Sequence, residues 1–289
     1  MKEKSTSLIT SKISQRIDSH QHFWKFDPIR DSWINDEMAI IQRDFLPQDL
    51  QPLLTENNLD GSVLVQCDQS EMENEFLLNH ASNFDFIKGV VGWVDLQSES
   101  VEDRLAYYHS FNKMKGFRHI LQGEAERGMM LRPAFMNGIS KLQNFDFTYD
   151  ILIYPDQIQY VGELVRAFPD QKFVIDHIAK PNIKEKSILE WKKGMEALAE
   201  YPNLYCKISG MVTEADWKNR GKDDCNPYMD VIVNSFGTKR IMFGSDWPVC
   251  LVAANYQQTM EIVVDYFSSF TQSEQEDFFG LNAINFYKL

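Results

Sequence analysis

The length, composition and charge of the chain already exclude several classes of function. Its 289 residues are 44% hydrophobic, which is enough for one large core. A formal net charge of −13 argues against binding to nucleic-acid phosphates or to an anionic membrane surface. No stretch approaches the roughly 18 apolar residues of a membrane-spanning helix. The four cysteines are scattered without a C-x-x-C pair, which favours the reducing cytoplasm.

Residues 1–15 are predicted to form a polar N-terminal tail, because they lack the apolar segment of a signal peptide. A single domain over residues 16–289 is expected to follow. No low-complexity segment or clear linker divides it.

Eight β-type runs alternate with helical segments along this domain. The predicted strands cover about residues 17–22, 62–66, 87–95, 114–118, 147–153, 172–176, 204–208 and 240–244. The predicted helices cover about residues 47–57, 71–82, 101–111, 133–143, 155–168, 188–199, 228–236, 256–270 and 273–286. A long loop over residues 26–44, containing Trp33, follows the first strand and is expected to cover a pocket. The alternation predicts an α/β fold, a (β/α)8 TIM barrel, rather than a nucleotide-binding sheet, since no glycine-rich phosphate loop is present.

Two histidines, His20 and His22, lie at the end of the first predicted strand. Side chains alternate along a strand, so both imidazoles project from the same face. Imidazole is a common ligand for metals such as zinc and the usual acid or base at neutral pH.

Other strand ends carry polar residues as well. Arg118 and His119 end the fourth strand, and His177 follows the sixth. Lys207 lies in the seventh, and Asp246 follows the eighth. Because a barrel builds its active site at the carboxyl ends of its strands, we expect these side chains to converge.

Each of these residues also has a purely structural explanation. His177 can be a hydrogen-bonded core histidine, and Asp246 can cap a turn. Arg118 can pair with an acidic group, Lys207 can be a solvated strand end, and Trp24 can pack in the core. These separate explanations do not account for the position of all these residues at one face of the barrel.

Five short segments together resemble the amidohydrolase superfamily, and in particular its branch of sugar-acid and dicarboxylate lactonases. These segments are Asp18–Trp24, Gly116–His119, Asp176–Pro181, Lys207–Gly210 and Gly244–Pro248. The resemblance implies a reactive centre of His20, His22, His177 and Asp246, which are both the expected catalytic residues and the expected metal ligands. Arg118, His119, Lys207 and Trp24 are the residues that we expect to bind the substrate.

The resemblance also implies a reaction, in which an activated water molecule opens the lactone ring of a sugar acid. Binuclear members of the superfamily place a bridging lysine or glutamate on strand 4 and a histidine on strand 5. Here those places hold Arg118-His119 and the apolar 151–154 segment, so at most one divalent ion is expected, with Zn2+ favoured. A metal-independent reaction stays open, as do a metal-dependent decarboxylase and a catalytically silent binding barrel.

Overall fold

Eight parallel strands form one sheet whose order follows the chain from β1 to β8. This computed structural model describes residues 14–219, 221 and 223–289, so residues 1–13 of the predicted tail lie outside the described residues. The strands are β1 (Ile17–Gln21), β2 (Gly61–Val65), β3 (Ile87–Gly92), β4 (Met114–His119), β5 (Thr148–Ile151), β6 (Phe173–Ile175), β7 (Leu204–Ile208) and β8 (Ile241–Phe243). All eight predicted strands are therefore confirmed.

The sheet closes between the end of β1 and the loop after β8. The backbone N–H of His22 donates to the carbonyl oxygen of Trp247 at 2.8 Å, and that of Asp246 donates to the carbonyl of His20 at 2.9 Å. With these bonds the fold is the predicted barrel. They also bring the histidines of β1 beside the aspartate that follows β8.

Helices surround the barrel. They are α1 (Pro47–Glu56), α2 (Glu71–Asn83), α3 (Val101–His109), α4 (Pro133–Leu142), α5 (Ile158–Ala167), α6 (Leu189–Ala199), α7 (Met211–Glu214), α8 (Asn226–Phe236), α9 (Tyr256–Phe267), α10 (Gln272–Glu276) and α11 (Asn282–Tyr287). In the described part of the chain, no helix has both the length and the apolar character needed to cross a membrane.

The last predicted helix is divided in the structure. Between α10 and α11 the chain makes a π-helical turn over Asp277–Leu281. Gly280 lies in this turn against the backbone, and a Cβ there would come 1.8 Å from the carbonyl oxygen of Gln15. This close packing of two chain segments could not be inferred from the helical spacing alone.

The short helix α11 closes the amino end of the barrel. Lys115 and Lys172, beside the starts of β4 and β6, donate to the carbonyl oxygens of Lys288 and Asn285. Tyr287 belongs to the same buried apolar cluster as residues from β1, β2, β3, β6 and β8. The opposite, carboxyl end of the barrel is left for the site.

Candidate active site

The two histidines of β1 lie side by side, as the sequence predicts. Their Nε2 atoms are 3.1 Å apart, and both residues are buried. The side chain of Gln21 between them donates instead to the hydroxyl of Ser62 at 3.1 Å. Strand alternation therefore sets the direction of both imidazoles.

The hydrogen bond of His22 fixes its tautomer. Its Nδ1 lies 2.7 Å from the carbonyl oxygen of Val65, which can only accept a hydrogen bond. Nδ1 therefore carries the proton, and Nε2 keeps its lone pair for a ligand.

An unusual left-handed turn places His177. Residues 177–180 all have positive φ, between 47° and 57°, although none of them is glycine. This conformation costs roughly 1–2 kcal/mol per residue. The Lys180 N–H donates to the His177 carbonyl at 2.8 Å, and the Trp191 indole N–H donates to the Ile178 carbonyl at 2.7 Å. These bonds, with the complete burial of Ile178, hold the turn.

Two residues after β7 support the His177 ring from behind. The hydroxyl of Ser209 lies 2.9 Å from its Nδ1. Gly210 has φ +62°, and a Cβ at this position would come 2.6 Å from the same nitrogen. The Ser209-Gly210 pair therefore leaves His177 one position, with Nε2 directed away from it.

The carboxylate of Asp246 is the point on which the three histidines converge. Its Oδ1 is 3.4 Å from Nε2 of His22, 3.8 Å from Nε2 of His177 and 3.9 Å from Nε2 of His20. Ligand atoms of His20, His177 and Asp246 all lie within 4.8 Å of one another. We call these four residues the histidine cluster.

Asp18 connects β1, which carries His20 and His22, to the segment after β8, which carries Asp246. Its buried carboxylate accepts hydrogen bonds from the Ser245 backbone N–H at 2.9 Å, the Ser245 hydroxyl at 2.5 Å and the Tyr256 hydroxyl at 2.9 Å. Burial nevertheless raises the pKa of Asp18 to about 6.

Behind His20 lies a group of buried charges, which we call the ion layer: Arg118, Asp150, Asp176 and Lys207. Lys207 Nζ is 2.6 Å from Asp150 Oδ2 and 3.0 Å from Asp176 Oδ1. Arg118 Nη1 donates to Asp176 Oδ2 at 3.0 Å. Both carboxylates and the ammonium group are completely buried.

Burial and these ion pairs set the charge states. Burial lowers the pKa of His20 and of His177 well below the usual imidazole range, so both rings are neutral at pH 7. Burial raises the pKa of Asp176, but Lys207, His20 and Arg118 outweigh this effect and hold that pKa well below its usual range. Burial raises the pKa of Asp150 to about 6, against the opposing effect of Lys207.

A cavity of about 440 Å³ opens above the cluster. His22, Arg118, His177 and Asp246 line its inner part. The 26–44 loop contributes Trp33 and Met38, and a 3-10 helix over Asp36–Ile41 gives this loop more structure than the sequence predicts. Tyr154 and Trp217 add further aromatic wall. The cavity is large enough for a small ring-shaped substrate.

Comparison with known proteins agrees with this geometry. The amidohydrolase family model matches residues 17–289. The chain is 36% identical to an L-fucono-1,5-lactonase of Burkholderia multivorans, covering 95% of this chain and 96% of that protein. It is 33% identical to an L-fucono-1,5-lactonase of Burkholderia ambifaria, with the same coverage. A crystal structure of a Burkholderia multivorans amidohydrolase with bound zinc superimposes with a TM-score of 0.92 at 36% identity, covering 96% of this chain and 100% of that one. The chain belongs to the amidohydrolase family.

The histidine cluster of this amidohydrolase fits a single divalent ion. Zinc bound tetrahedrally at about 2.0–2.2 Å separates its ligand atoms by about 3.3–3.6 Å. The Nε2 atoms of His20 and His22 are 3.1 Å apart, and Asp246 Oδ1 is 3.4–3.9 Å from the three Nε2 atoms, so these separations lie on either side of that range. Among the described residues, the group whose ligand atoms all lie within 4.8 Å of one another is His20, His177 and Asp246, without His22. Neutral imidazoles and one carboxylate are also the donor types that zinc prefers.

Three of the predicted substrate-binding residues of the amidohydrolase do not line the cavity. Trp24 lies beside a smaller neighbouring cavity of about 250 Å³, and its indole donates to the Arg43 carbonyl at 2.9 Å. His119 is held between Glu124, at 2.7 Å, and the Trp93 indole, at 3.3 Å. Lys207 lies in the ion layer. Arg118 is the one of the four predicted residues that reaches the cavity.

Sequence reasoning misses the two carboxylates of the ion layer. Asp150 lies within an apolar strand whose carboxyl end has no side chain of a metal-ligand type. Asp176 is predicted only to be the last residue of its strand. A charged residue inside an apolar strand is rarely buried without a partner, and this is the available signal for Asp150.

Proposed function

We propose that this amidohydrolase is a lactonase, which opens the lactone ring of a neutral sugar acid such as L-fucono-1,5-lactone by attack of water. The observation that carries the proposal is the convergence of three imidazole Nε2 atoms on Asp246 at the inner end of the cavity. The similarity to two L-fucono-1,5-lactonases over nearly the whole chain supports it.

In the proposed mechanism Asp246 is the general base. It takes a proton from a water molecule, whose oxygen attacks the lactone carbonyl carbon. The ester C–O bond then breaks, and Asp246 returns the proton to the departing ring oxygen. The product is an open-chain hydroxy acid, which releases one proton at neutral pH.

The remaining groups hold the carbonyl and exclude water. Arg118 lines the cavity, where its guanidinium group can stabilise the oxyanion. His20, His22, His177 and Asp246 would hold the ion, for which we propose Zn2+. When bound, this ion would act as a Lewis acid on the lactone carbonyl. The loop that carries Trp33 covers the cavity and limits the entry of bulk water.

The charges of the cavity favour a neutral lactone over a dicarboxylate one. Among the described residues, two long-chain cations line it, and both are already paired. Arg118 is bonded to Asp176, and Lys180 Nζ lies 3.3 Å from Glu214 Oε1. A substrate carboxylate would have to compete with these partners, whereas hydroxyl groups can add to them.

A pH-indicator assay of 1,4- and 1,5-aldonolactones tests the proposal. We expect enzyme-dependent proton release with one or a few sugar lactones, and chelator-treated protein shows whether the ion is required. Carbon dioxide release from an aromatic acid without lactone opening would identify a decarboxylase instead. No turnover of either class by zinc-loaded or chelator-treated protein would favour a binding barrel.

A further inference from the structure

His20 has a fixed cation beside each ring nitrogen. Lys207 Nζ is 3.1 Å from its Nδ1, and Arg118 Nη1 is 3.3 Å from its Nε2. Lysine and arginine side chains only donate hydrogen bonds. The proton of His20 can lie on Nδ1, where Asp176 Oδ1 at 3.3 Å accepts it, and the lone pair then lies on Nε2. When no ion is bound, Arg118 can donate to that lone pair, which a metal ion would need. Lys207 cannot donate to a protonated Nδ1, so it acts on the site through its charge.

The ammonium group of Lys207 itself lies in surroundings that would suit a metal ion. Two carboxylate oxygens, Asp150 Oδ2 at 2.6 Å and Asp176 Oδ1 at 3.0 Å, and one imidazole nitrogen surround it. The Tyr287 hydroxyl donates to the same Asp150 oxygen at 2.8 Å. Carboxylate and imidazole are common ligands of divalent metals, but here the chain supplies the cation.

The charge balance around His20 follows from these contacts. Asp18, Asp150, Asp176 and Asp246 are four buried carboxylates near His20, and Lys207 and Arg118 are two buried cations. The carboxylates outnumber these cations, so a net negative charge remains to attract an ion. Charges interact strongly at such short range in a protein interior, so each fixed cation lowers this attraction.

We infer that Lys207 and Arg118 are internal cations that compete with a divalent ion for His20, and that they limit the site to one weakly held ion. The inference rests on the metal site in the proposed function, but it concerns positioning residues of the chain itself. Lys207 does not line the cavity, so its replacement changes the charge near the site without removing a cavity wall.

Zinc affinity, measured without substrate by competition with a chromophoric chelator, tests the inference. Three proteins are compared: wild type, Lys207→Met, and Lys207→Met combined with Asp150→Asn. We expect Lys207→Met to bind zinc at least about tenfold more tightly than wild type. The double variant removes one charge of each sign, so its affinity should return to within about threefold of wild type.

If circular dichroism shows that Lys207→Met does not fold, Arg118→Met and Arg118→Lys provide the same comparison. Arg118→Met should then bind zinc more tightly than wild type, whereas Arg118→Lys, which keeps the charge, should not.

Affinity in Lys207→Met no higher than in wild type would overturn the inference, as would a double variant that binds as tightly as the single one. In the Arg118 comparison, an equal or lower affinity of Arg118→Met would do the same. Wild type that takes up no zinc while Lys207→Met does would support it. An absence of lactonase activity would refute the proposed function. The zinc-binding assay contains no lactone, so its outcome does not depend on that activity.

Discussion

The histidine cluster and the ion layer use similar groups, but their carboxylates have different partners. In the described part of the chain, the lysine, arginine and histidine nitrogens within 4.0 Å of the Asp246 carboxylate all belong to histidines. Asp176 instead lies within 3.0 Å of both Lys207 and Arg118. A carboxylate held by two cations has its lone pairs engaged, whereas one that faces neutral imidazoles can still accept a proton.

Because of this difference, the two regions have different roles. His22, His177 and Asp246 of the cluster line the cavity and can contact the substrate, while Asp150, Asp176 and Lys207 are buried away from it. Asp150, Asp176 and Lys207 therefore orient His20 and set the charge around the site, whereas Arg118 of the ion layer also reaches the cavity. Substitutions made in one region at a time can test this division.

Replacing Asp246, the carboxylate that faces the histidines, should have the largest effect. Asp246→Asn keeps the shape of the side chain but removes its basicity, so kcat for lactone hydrolysis should fall roughly 10²–10⁴-fold. Asp150→Asn is the matched control in the ion layer, and its kcat should change by less than about tenfold. Both are measured by steady-state kinetics at equal zinc content. Activity of Asp246→Asn within a few-fold of wild type would move the base to a histidine.

The support behind His177 should have the next largest effect. In Gly210→Ala the new methyl group would press on His177 Nδ1, so zinc affinity and kcat/KM should each fall about 10–100-fold. Gly237→Ala is a matched control, because Gly237 also has positive φ, +69°, but a Cβ added there would have no other atom within 4 Å. It should cost only stability, about 1–3 kcal/mol, because the ψ of Gly237 is 168° and this region is essentially restricted to glycine. Equal catalytic losses in the two variants would show that backbone strain, and not the position of His177, is responsible.

A change in the ion layer should affect stability more than catalysis. Tyr287→Phe removes the hydroxyl that donates to Asp150 and keeps the packing of the ring. The free energy of unfolding should fall by about 1–3 kcal/mol, because the bond is to a charged group. Urea denaturation measures this loss, and kcat should stay within about threefold of wild type. A large fall in kcat with unchanged stability would place the ion layer within the catalytic machinery.

The pH dependence of stability should show the smallest effect. Burial raises the pKa of Asp150 in the folded protein to about 6, above the value of 3.8 that stands for the unfolded chain. Folded protein therefore binds the proton more tightly, and this contribution to stability is lost as the pH rises from about 4 to 6. The same denaturation experiment should give a flatter slope for Asp150→Asn across this window. An unchanged slope would mean that Lys207 keeps Asp150 ionised throughout.

The barrel and the histidine cluster could be predicted because both depend on local patterns. The alternation of strands and helices specifies the order of the elements. Residues at strand ends, such as His20, His22 and Asp246, must then meet at one end of the barrel.

The ion layer depends on pairing between distant strands, which one sequence does not reveal. Lys207 and Asp150 lie on β7 and β5, and the Lys207 side chain is directed into the protein, not toward solvent. The left-handed turn after β6 contains no glycine, so the sequence gives no sign of its positive φ angles. It is held by a hydrogen bond from Trp191 of α6. Trp24 follows the histidines closely in sequence, which predicts that it contacts the substrate. In the structure its indole N–H instead donates to the carbonyl oxygen of Arg43.

The central claim, that the protein opens a lactone with water, can be tested most directly with oxygen-18-labelled water. L-fucono-1,5-lactone is incubated in labelled water with increasing enzyme, and the product is analysed by mass spectrometry after the spontaneous reaction is subtracted. The mechanism predicts enzyme-dependent formation of the intact hydroxy acid with one labelled oxygen in its carboxylate. Label in the new hydroxyl group instead of the carboxylate, loss of carbon dioxide, or a rate independent of enzyme would contradict it.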